Sequence, residues 1–487
     1  MGLIIRQSLS NAASNYLGLV IGAINILIIY PRAFANDPEY FGLVQLIISY
    51  SLVMATFLNL GVPGVILRHF PTVDLSKKPE FLGFFLLFPL PVLVLISLAL
   101  YLFRDAVIPF LNNEPVFMDH WFYLLPLAFL TVYFEIFSAL SQIHLKTTLP
   151  VFIKEVMRRA LTSVLLVLYW VGWISIEQFL ILFTLSMAFQ FIFLIVFLYL
   201  KKHLKFRLNL EYRLYRPMLL YGIFMLATTG ANFLVNKIDT LMVGKFVDLS
   251  NVAFYSIAFF IGSILNVPGK SLMIVTRPII SKAFAGNRMQ QVKDIYMDTA
   301  LNLTIAGVLL FTLIWLNIDD LFYLLPENYR EGKDVVLIIA AAQLFNLSAG
   351  QNGVIISMSE YYRFNMYALL FLLVIAVGVN LLLIPRMGIT GAAVATFISL
   401  FSFNFLKTLY IKMRLDMLPY KKQLLWLIPV WAATALAGLA SDFFSNHILN
   451  ILVKSLLATL VFFSMVYFLR ISPELNRIVR KGLSYVA

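Results

Sequence analysis

The sequence has no cysteine, and only 13% of its 487 residues are charged. Without cysteine the chain can form no disulfide, no thiolate metal site and no cysteine nucleophile. A soluble domain of this size needs about a quarter of its residues charged to cover its surface. Because 61% of the residues are hydrophobic and the mean hydropathy is +0.90, we expect most of the surface to face lipid.

Apolar runs that are long enough to cross a bilayer as helices recur along the whole chain. One crossing needs about 20 such residues. The sequence therefore predicts an all-α integral membrane protein with about fourteen transmembrane helices. The predicted spans are 10–30, 41–62, 81–102, 121–143, 156–174, 178–200, 217–238, 252–275, 297–317, 335–357, 365–385, 390–411, 423–440 and 447–469.

The net charge of +13 is unevenly distributed between the predicted loops. If the N-terminus is cytoplasmic and the loops alternate sides, the inward segments hold 27 of the 37 lysines and arginines and the outward ones six. This asymmetry is the positive-inside rule, and it predicts an even number of spans with both termini in the cytoplasm. The basicity is thus explained by topology, so we expect no nucleic-acid partner.

The basic stretch 201–216 is the best candidate for a linker, because it separates six predicted spans from eight. We predict two pseudo-symmetric six-helix lobes, 1–205 and 206–415, followed by an extra helix pair and a cytoplasmic tail in 416–487. The repeat is supported by polar stripes, which spans 1, 2 and 4 share with spans 7, 8 and 10.

Polar residues in these six spans follow three- and four-residue steps, so that each set shares one helix face. The candidates for a substrate-binding cavity are Asn25, Arg32, Gln45, Asn59, Asn232, Asn236, Lys237, Asn266, Lys270, Gln343 and Asn346. Amides also hold membrane helices together, and for any single residue that interpretation stays open. Six such faces on corresponding helices predict a hydrophilic cleft between the lobes.

Ionisable side chains within the spans carry more weight, because a charge at the bilayer centre costs at least about 2.5–3.5 kcal/mol. Lys270 shares a face with Asn266, whereas Arg32 and Lys237 lie near outward ends, where snorkelling to the interface is the alternative. The excess of cations predicts a cleft that suits an anionic group, such as a phosphate or pyrophosphate.

Two carboxylates are candidates for coupling to a proton or a sodium ion, Glu135 and Asp239. Asp239 lies two positions from Lys237, about 200° around a helix, so the two cannot readily pair. For Glu135, uptake of a proton and pairing with a lysine both stay open.

The sequence contains little that indicates catalysis. Asp319 and Asp320, at the outward end of the ninth span, could bind a divalent metal, but a solvated helix end explains the pair as well and is the commoner case. The five histidines have no ligand spacing, and no glycine-rich phosphate loop with a lysine is present. We expect no metal, no cofactor and no enzymatic activity.

Five stretches resemble the polysaccharide-exporter branch of the multidrug/oligosaccharidyl-lipid/polysaccharide (MOP) exporter superfamily, which includes O-antigen flippases. They are PRAFANDPEYFGLVQLI (31–47), NLGVPGVILRHFP (59–71), NKIDTLMVGKFVDLSNVAFYSIA (236–258), RPIISKAFAGNRMQQVKDIY (277–296) and PRMGITGAAVATFIS (385–399). The resemblance implies two six-helix bundles around a V-shaped central cavity, and transport by alternating access. It also implies a substrate: an undecaprenyl-pyrophosphate-linked oligosaccharide moved across the cytoplasmic membrane. Polysaccharide polymerase or assembly proteins would be partners.

Two other functions stay open. An ion-coupled multidrug antiporter of the same superfamily would resemble a twelve-helix protein with acidic cavity residues, so two extra spans and a basic cleft count against it. A membrane-embedded glycosyltransferase, ligase or polymerase needs catalytic residues in a sizeable outward loop. The longest predicted one, 104–120, has only Asp105, Glu114 and Asp119 as acidic residues.

Overall fold

The computed structural model describes residues 2–208, 212–440 and 444–477, and all regular secondary structure in these ranges is helical. The α-helices are α1 (Gly2–Ile24), α2 (Tyr30–Ala33), α3 (Pro38–Leu58), α4 (Val62–His69), α5 (Lys78–Leu87), α6 (Pro89–Leu102), α7 (Arg104–Leu111), α8 (Pro115–His120), α9 (Leu124–Ile143), α10 (Thr148–Phe152), α11 (Arg158–Trp170), α12 (Ile176–Leu200), α13 (Tyr212–Phe246), α14 (Leu249–Ser263), α15 (Asn266–Ala285), α16 (Met289–Tyr323), α17 (Lys333–Ser348), α18 (Asn352–Met358), α19 (Phe364–Leu415), α20 (Leu427–Leu439) and α21 (His447–Phe468). Two π-helical turns, Asn25–Ile29 and Ile153–Met157, continue α1 and α10. Four 3₁₀ turns lie at Phe70–Thr72, Trp121–Tyr123, Glu327–Gly332 and Lys422–Trp426.

Within the described ranges, ten helical segments are long and apolar enough to cross a membrane. The number rises to twelve if each of two bent pairs, α14 with α15 and Glu327–Ser348 with α18, is one span. The predicted all-α, multi-pass membrane protein is therefore confirmed.

The predicted number of fourteen spans stays a prediction, and two features explain the lower count. Helix α19 is 52 residues long and contains two predicted spans, 365–385 and 390–411. It is broken between them at Gly388, whose φ of 57° and ψ of −137° are not helical and suit a residue without a Cβ. The segment 148–170 is helical throughout but carries four charges, among them Lys154 and Arg158, which is more than an apolar span normally carries.

Contacts within the chain divide it into two compact units, Met1–Ser256 and Ile257–Ala487. Unit 1 contains α1 to α13 and the first half of α14, and its core is formed by apolar side chains such as Val65, Phe81 and Ile136. In unit 2, α17 packs on both α16 and α19, and the C-terminal pair α20 and α21 packs on α16. The predicted lobe boundary at 205 and the six-helix bundles stay predictions.

A buried charged cluster joins α16 to α21 in unit 2. Lys454 Nζ donates to Asp320 Oδ2 at 3.0 Å, and both side chains are less than a tenth exposed. His447 Nδ1 and Asn450 Nδ2 lie 2.7 and 3.2 Å from the same carboxylate.

The expectation of a solvated helix end is therefore wrong for Asp320. It holds for the neighbouring Asp319, which is exposed and pairs with Lys333 at the surface.

Two histidines stack at the ends of α9 and α12. The rings of His144 and His203 have centroids 3.9 Å apart and planes 14° apart. Burial lowers the pKa of His144 below its usual 6.5, and the nearby His203 and Lys78 lower it further. The folded protein therefore binds a proton at His144 less readily than the unfolded chain does. The contribution of His144 to the free energy of unfolding is complete above the pKa of the unfolded state, and it is lost as the pH falls below about 6.5.

Thermal unfolding should report this linkage. Between about pH 7.5 and about pH 5.5, we expect the unfolding midpoint of the wild type to fall further than that of His144→Phe, which keeps an aromatic ring but cannot be protonated. The midpoint would be measured in detergent across this range. An equal fall in both proteins would show that His144 does not titrate differently on unfolding.

Candidate functional site

Four asparagines form a continuous chain of hydrogen bonds across four helices of unit 2. Asn352, at the start of α18, donates from Nδ2 to Oδ1 of Asn404 on α19 at 2.9 Å. Asn404 Nδ2 donates to Asn346 Oδ1 on α17 at 2.9 Å. Asn346 Nδ2 donates to Asn266 Oδ1, at the start of α15, at 3.1 Å. Because each amide satisfies the next, the network fixes the ends of α15 and α18 against α17 and α19.

All four asparagines line a cavity of about 440 Å³. The cavity contains both neutral polar groups and cations. Its polar lining residues are Asn266, Lys270, Arg277, Asn346, Gln351, Asn352, Ser357, Asn365, Asn404 and Lys407. Gln351 and Asn365 are also held in place, by hydrogen bonds to the backbone carbonyls of Gly269 and Gly353.

Lys407 is the most buried cation of the cavity, with 6% of its surface exposed. Its Nζ lies 4.5 Å from the centre of the Phe403 ring. Within the described ranges, no hydrogen-bond acceptor or carboxylate contacts its ammonium group. A Cβ added at Gly353 would lie 2.8 Å from Nζ, so glycine at that position leaves room for the ammonium group. An unpaired buried charge is expensive, so this group is suited to an anionic ligand.

The net charge of the lining decides the chemistry of the unit 2 cavity. Lys270, Arg277 and Lys407 contribute three cations, and no carboxylate lines the cavity among the residues that the structure describes. Lys270 and Arg277 are exposed at the cavity, whereas Lys407 is buried. Lysine acts as a point charge and arginine as a planar fork of donors, and together they suit a phosphate or pyrophosphate group.

Three predicted site residues meet in this cavity, Asn266, Lys270 and Asn346, while Gln343 is buried on α17 outside its lining. Sequence reasoning left Asn404 and Lys407 out of the candidate set. The sequence pattern that could have identified Asn404 and Lys407 is the one that identified Asn266 and Lys270. It is a polar residue and a lysine one helical turn apart within an apolar span.

Two predicted residues of unit 1 make well-defined contacts. Asn25, in the first π-helical turn, is buried; its Nδ2 donates to Arg159 O at 3.0 Å and its Oδ1 accepts from Ser163 at 2.6 Å. It therefore packs α1 against α11. Asn59 Oδ1 accepts from Gly61 N at 2.8 Å, and Asn59 lines a second cavity.

The two predicted coupling carboxylates are both engaged. Glu135 Oε1 pairs with Lys154 Nζ at 2.5 Å, which is one of the two alternatives that the sequence left open. Asp239 is buried and accepts a hydrogen bond from Tyr255 Oη at 3.2 Å.

The remaining candidates are more accessible. Arg32, Asn232 and Asn236 are exposed, and Gln45 is half-buried. Lys237 is also half-buried and is repelled by the nearby Arg158. Participation of these residues in substrate binding stays a prediction.

Comparison with known proteins places the chain in a family. A family model described as "Polysaccharide biosynthesis protein" matches residues 6–284, more than half of the sequence. The chain belongs to the polysaccharide biosynthesis protein family. A second model, MatE, matches residues 225–382. No curated protein matches the sequence. The predicted membership of the polysaccharide branch of the MOP superfamily is therefore confirmed.

Solved structures share the fold of this family member at low sequence identity. The lipid II flippase MurJ, in an inward closed conformation, has a TM-score of 0.77 at 12% identity, covering 96% of this chain and 98% of that one. A multidrug resistance MATE family transporter of the MOP superfamily, facing inward, has a TM-score of 0.65 at 14% identity, covering 82% and 98%. A MOP superfamily transporter from Pyrococcus furiosus, described as having a binding pocket of reverse polarity, has a TM-score of 0.55 at 16% identity, covering 85% and 95%.

Proposed function

We propose that this protein is a flippase that moves a lipid-linked oligosaccharide across the cytoplasmic membrane by alternating access, for the synthesis of cell-surface polysaccharide. Both termini would lie in the cytoplasm, as the positive-inside asymmetry favours. The cargo would be a pyrophosphate-linked polyprenol, whose headgroup is anionic. The unit 2 cavity carries this proposal, because it combines three cations with amide donors and has no carboxylate among its described lining residues.

The chemistry of that cavity suits a pyrophosphate in two ways. Lys270, Arg277 and Lys407 offset its negative charge, and charge-assisted hydrogen bonds are about twice as strong as neutral ones. Asn266 has its Oδ1 occupied by Asn346 and keeps its Nδ2 hydrogens for a ligand. The fold shared with a lipid II flippase supports the same cargo class.

The superfamily also contains multidrug transporters, which is the alternative function. A cationic drug would be repelled by a lining that carries only positive charges, so the unit 2 cavity favours the anionic cargo. A glycosyltransferase or polymerase is less well supported, because the family and the fold both point to transport. Coupling to a proton or sodium ion through Glu135 or Asp239 stays a prediction, as does contact with polysaccharide assembly proteins.

The proposal is tested with purified protein in lipid vesicles. A fluorescent lipid-linked oligosaccharide in the inner leaflet should become accessible to an external quencher faster than in protein-free vesicles. Equal rates with and without protein would refute the flippase, and ion-driven uptake of lipophilic cations would favour the drug antiporter.

Replacing Lys270 by alanine is expected to slow this transfer several-fold, because an exposed cavity charge raises the rate at which an anionic headgroup is captured. The defect should shrink at high salt, which screens such charges. Lys282→Ala is the matched control, since Lys282 is an exposed lysine on the same helix outside the cavity lining. Equal transfer by wild type and Lys270→Ala at low salt would remove Lys270 from the site.

A further inference from the structure

Unit 1 contains a cavity of its own, of about 340 Å³. Residues of α3, α4, α9, α11, α12 and α13 line it, together with the π-helical turn that contains Lys154. Nothing in the proposed pyrophosphate chemistry uses this cavity. Its size falls in the range of ordinary small-molecule pockets, which are about 300–1,000 Å³.

Three cations and two carboxylates lie beside this cavity, whereas the unit 2 cavity has three cations and no carboxylate among its described lining residues. Lys154 is paired with Glu135 at 2.5 Å, and Arg159 with Glu155 at 3.0 Å. Arg158, the other cation of the lining, is attracted by both carboxylates and repelled by Arg159. A strongly anionic ligand would therefore meet carboxylates as well as cations here, so an uncharged ligand is the better fit.

Three threonines supply hydrogen-bond acceptors to the lining. Thr56, Thr131 and Thr229 each donate their hydroxyl hydrogen to the backbone carbonyl four residues earlier, at 2.8, 2.7 and 2.7 Å. A hydroxyl whose hydrogen is used in this way keeps only its lone pairs for a ligand. The threonines can thus accept hydrogen bonds from a ligand's own hydroxyl groups.

Two amides supply donors. Gln190 is 3% exposed and lines the cavity, and its Nε2 has no hydrogen-bond partner in the described part of the chain. A buried amide left without a partner is destabilising, so a ligand that accepts its hydrogens would bind there favourably. Asn59 has its Oδ1 bound to Gly61 N, which leaves its Nδ2 hydrogens for the cavity.

The rest of the lining is apolar, with Phe134 and Phe233 among its residues. A pocket with apolar walls and both donors and acceptors matches a ring that has hydroxyl groups around its edge and C–H groups on its faces. A sugar ring has this chemistry, since each hydroxyl both donates and accepts.

We infer that the unit 1 cavity binds an uncharged sugar ring of the lipid-linked substrate, with Gln190 as a hydrogen-bond donor to it. This inference rests on the proposed flippase function and assigns the glycan a site separate from the cationic cavity of unit 2.

Two ligands distinguish the sugar site of unit 1 from the pyrophosphate site of unit 2. They are undecaprenyl pyrophosphate without sugar, and the lipid-linked oligosaccharide extracted from the native cells. Binding of each would be measured with the full chain in a detergent that has no sugar headgroup. Gln190→Leu should weaken binding of the sugar-bearing lipid about three- to tenfold, the value of one neutral hydrogen bond, and leave the sugar-free lipid unchanged.

Thr131→Val provides a second, nearly isosteric variant, which removes an acceptor and should show the same selectivity for the sugar-bearing lipid. An equal loss for both lipids, or no loss for either, in folded Gln190→Leu and Thr131→Val would overturn the sugar site while the flippase stands. If the wild type bound neither lipid, the proposed function itself would fail, and the sugar site with it.

Discussion

Replacing Lys407 with methionine is expected to weaken binding of undecaprenyl pyrophosphate by ~10- to 100-fold, since a hydrogen bond to a charged group contributes about 1.5–3 kcal/mol. The same substitution should leave the protein as stable as the wild type or more stable. The reason is that Lys407 is buried beside Phe403 without a carboxylate among its described neighbours, so the unliganded fold bears the cost of its charge. Binding and thermal unfolding would be measured on the same preparation.

Lys412→Met is the matched control for this substitution. Lys412 lies on the same helix, α19, but is half-exposed and pairs with Asp416 at the helix end. Its replacement should leave the affinity unchanged. It should lower the stability by at most about 1 kcal/mol, which is what an exposed ion pair contributes. Unchanged affinity in Lys407→Met would show that the unit 2 cavity does not bind the headgroup. A large loss of stability would show that the ammonium group has a structural role instead.

Breaking the buried cluster between α16 and α21 is expected to cause the largest loss of stability. Removing one partner of a buried ion pair costs about 3–5 kcal/mol, because the other charge stays buried without compensation. Lys454→Met should therefore lower the thermal unfolding midpoint by several degrees, since Asp320 would keep only His447 and Asn450 as polar contacts seen in the cluster.

The adjacent carboxylate provides the control. Asp319→Asn removes an exposed pair with Lys333 and should lower stability by less than about 1 kcal/mol. The double variant Asp320→Leu with Lys454→Met should recover part of the loss, because apolar residues can replace a buried pair at little cost. Equal midpoints for Lys454→Met and Asp319→Asn would contradict the assigned role of the cluster.

Membrane-spanning helices were predictable because hydropathy is a local property. A segment must bury about 20 apolar residues to cross a bilayer, whatever its neighbours are, so composition alone predicts a multi-pass protein. The superfamily was also predictable, from short stretches such as 236–258. The number of spans was harder to predict. Two predicted spans, 365–385 and 390–411, lie in one long helix, α19, which is broken only at Gly388.

The polar residues of the site were only partly predictable. Asn266, Lys270 and Asn346, three of the predicted residues, line the unit 2 cavity, and their role in substrate binding stays a prediction. Asn25 belongs to the same kind of stripe yet packs α1 on α11. A stripe tells which residues share a face, but whether that face meets a neighbouring helix or a cavity depends on the packing of other parts of the chain.

By itself, the sequence determined the helical class, the membrane environment and the family, because these follow from composition, periodicity and short motifs. Only the tertiary structure decided the partners of the charged residues. It paired Glu135 with Lys154 and Asp320 with Lys454, but left Lys407 beside an aromatic ring in a cavity of asparagines. These partners are distant in sequence or lie on different helices. The packing of the helices therefore determines which buried charge is neutralised within the fold and which is left for a ligand.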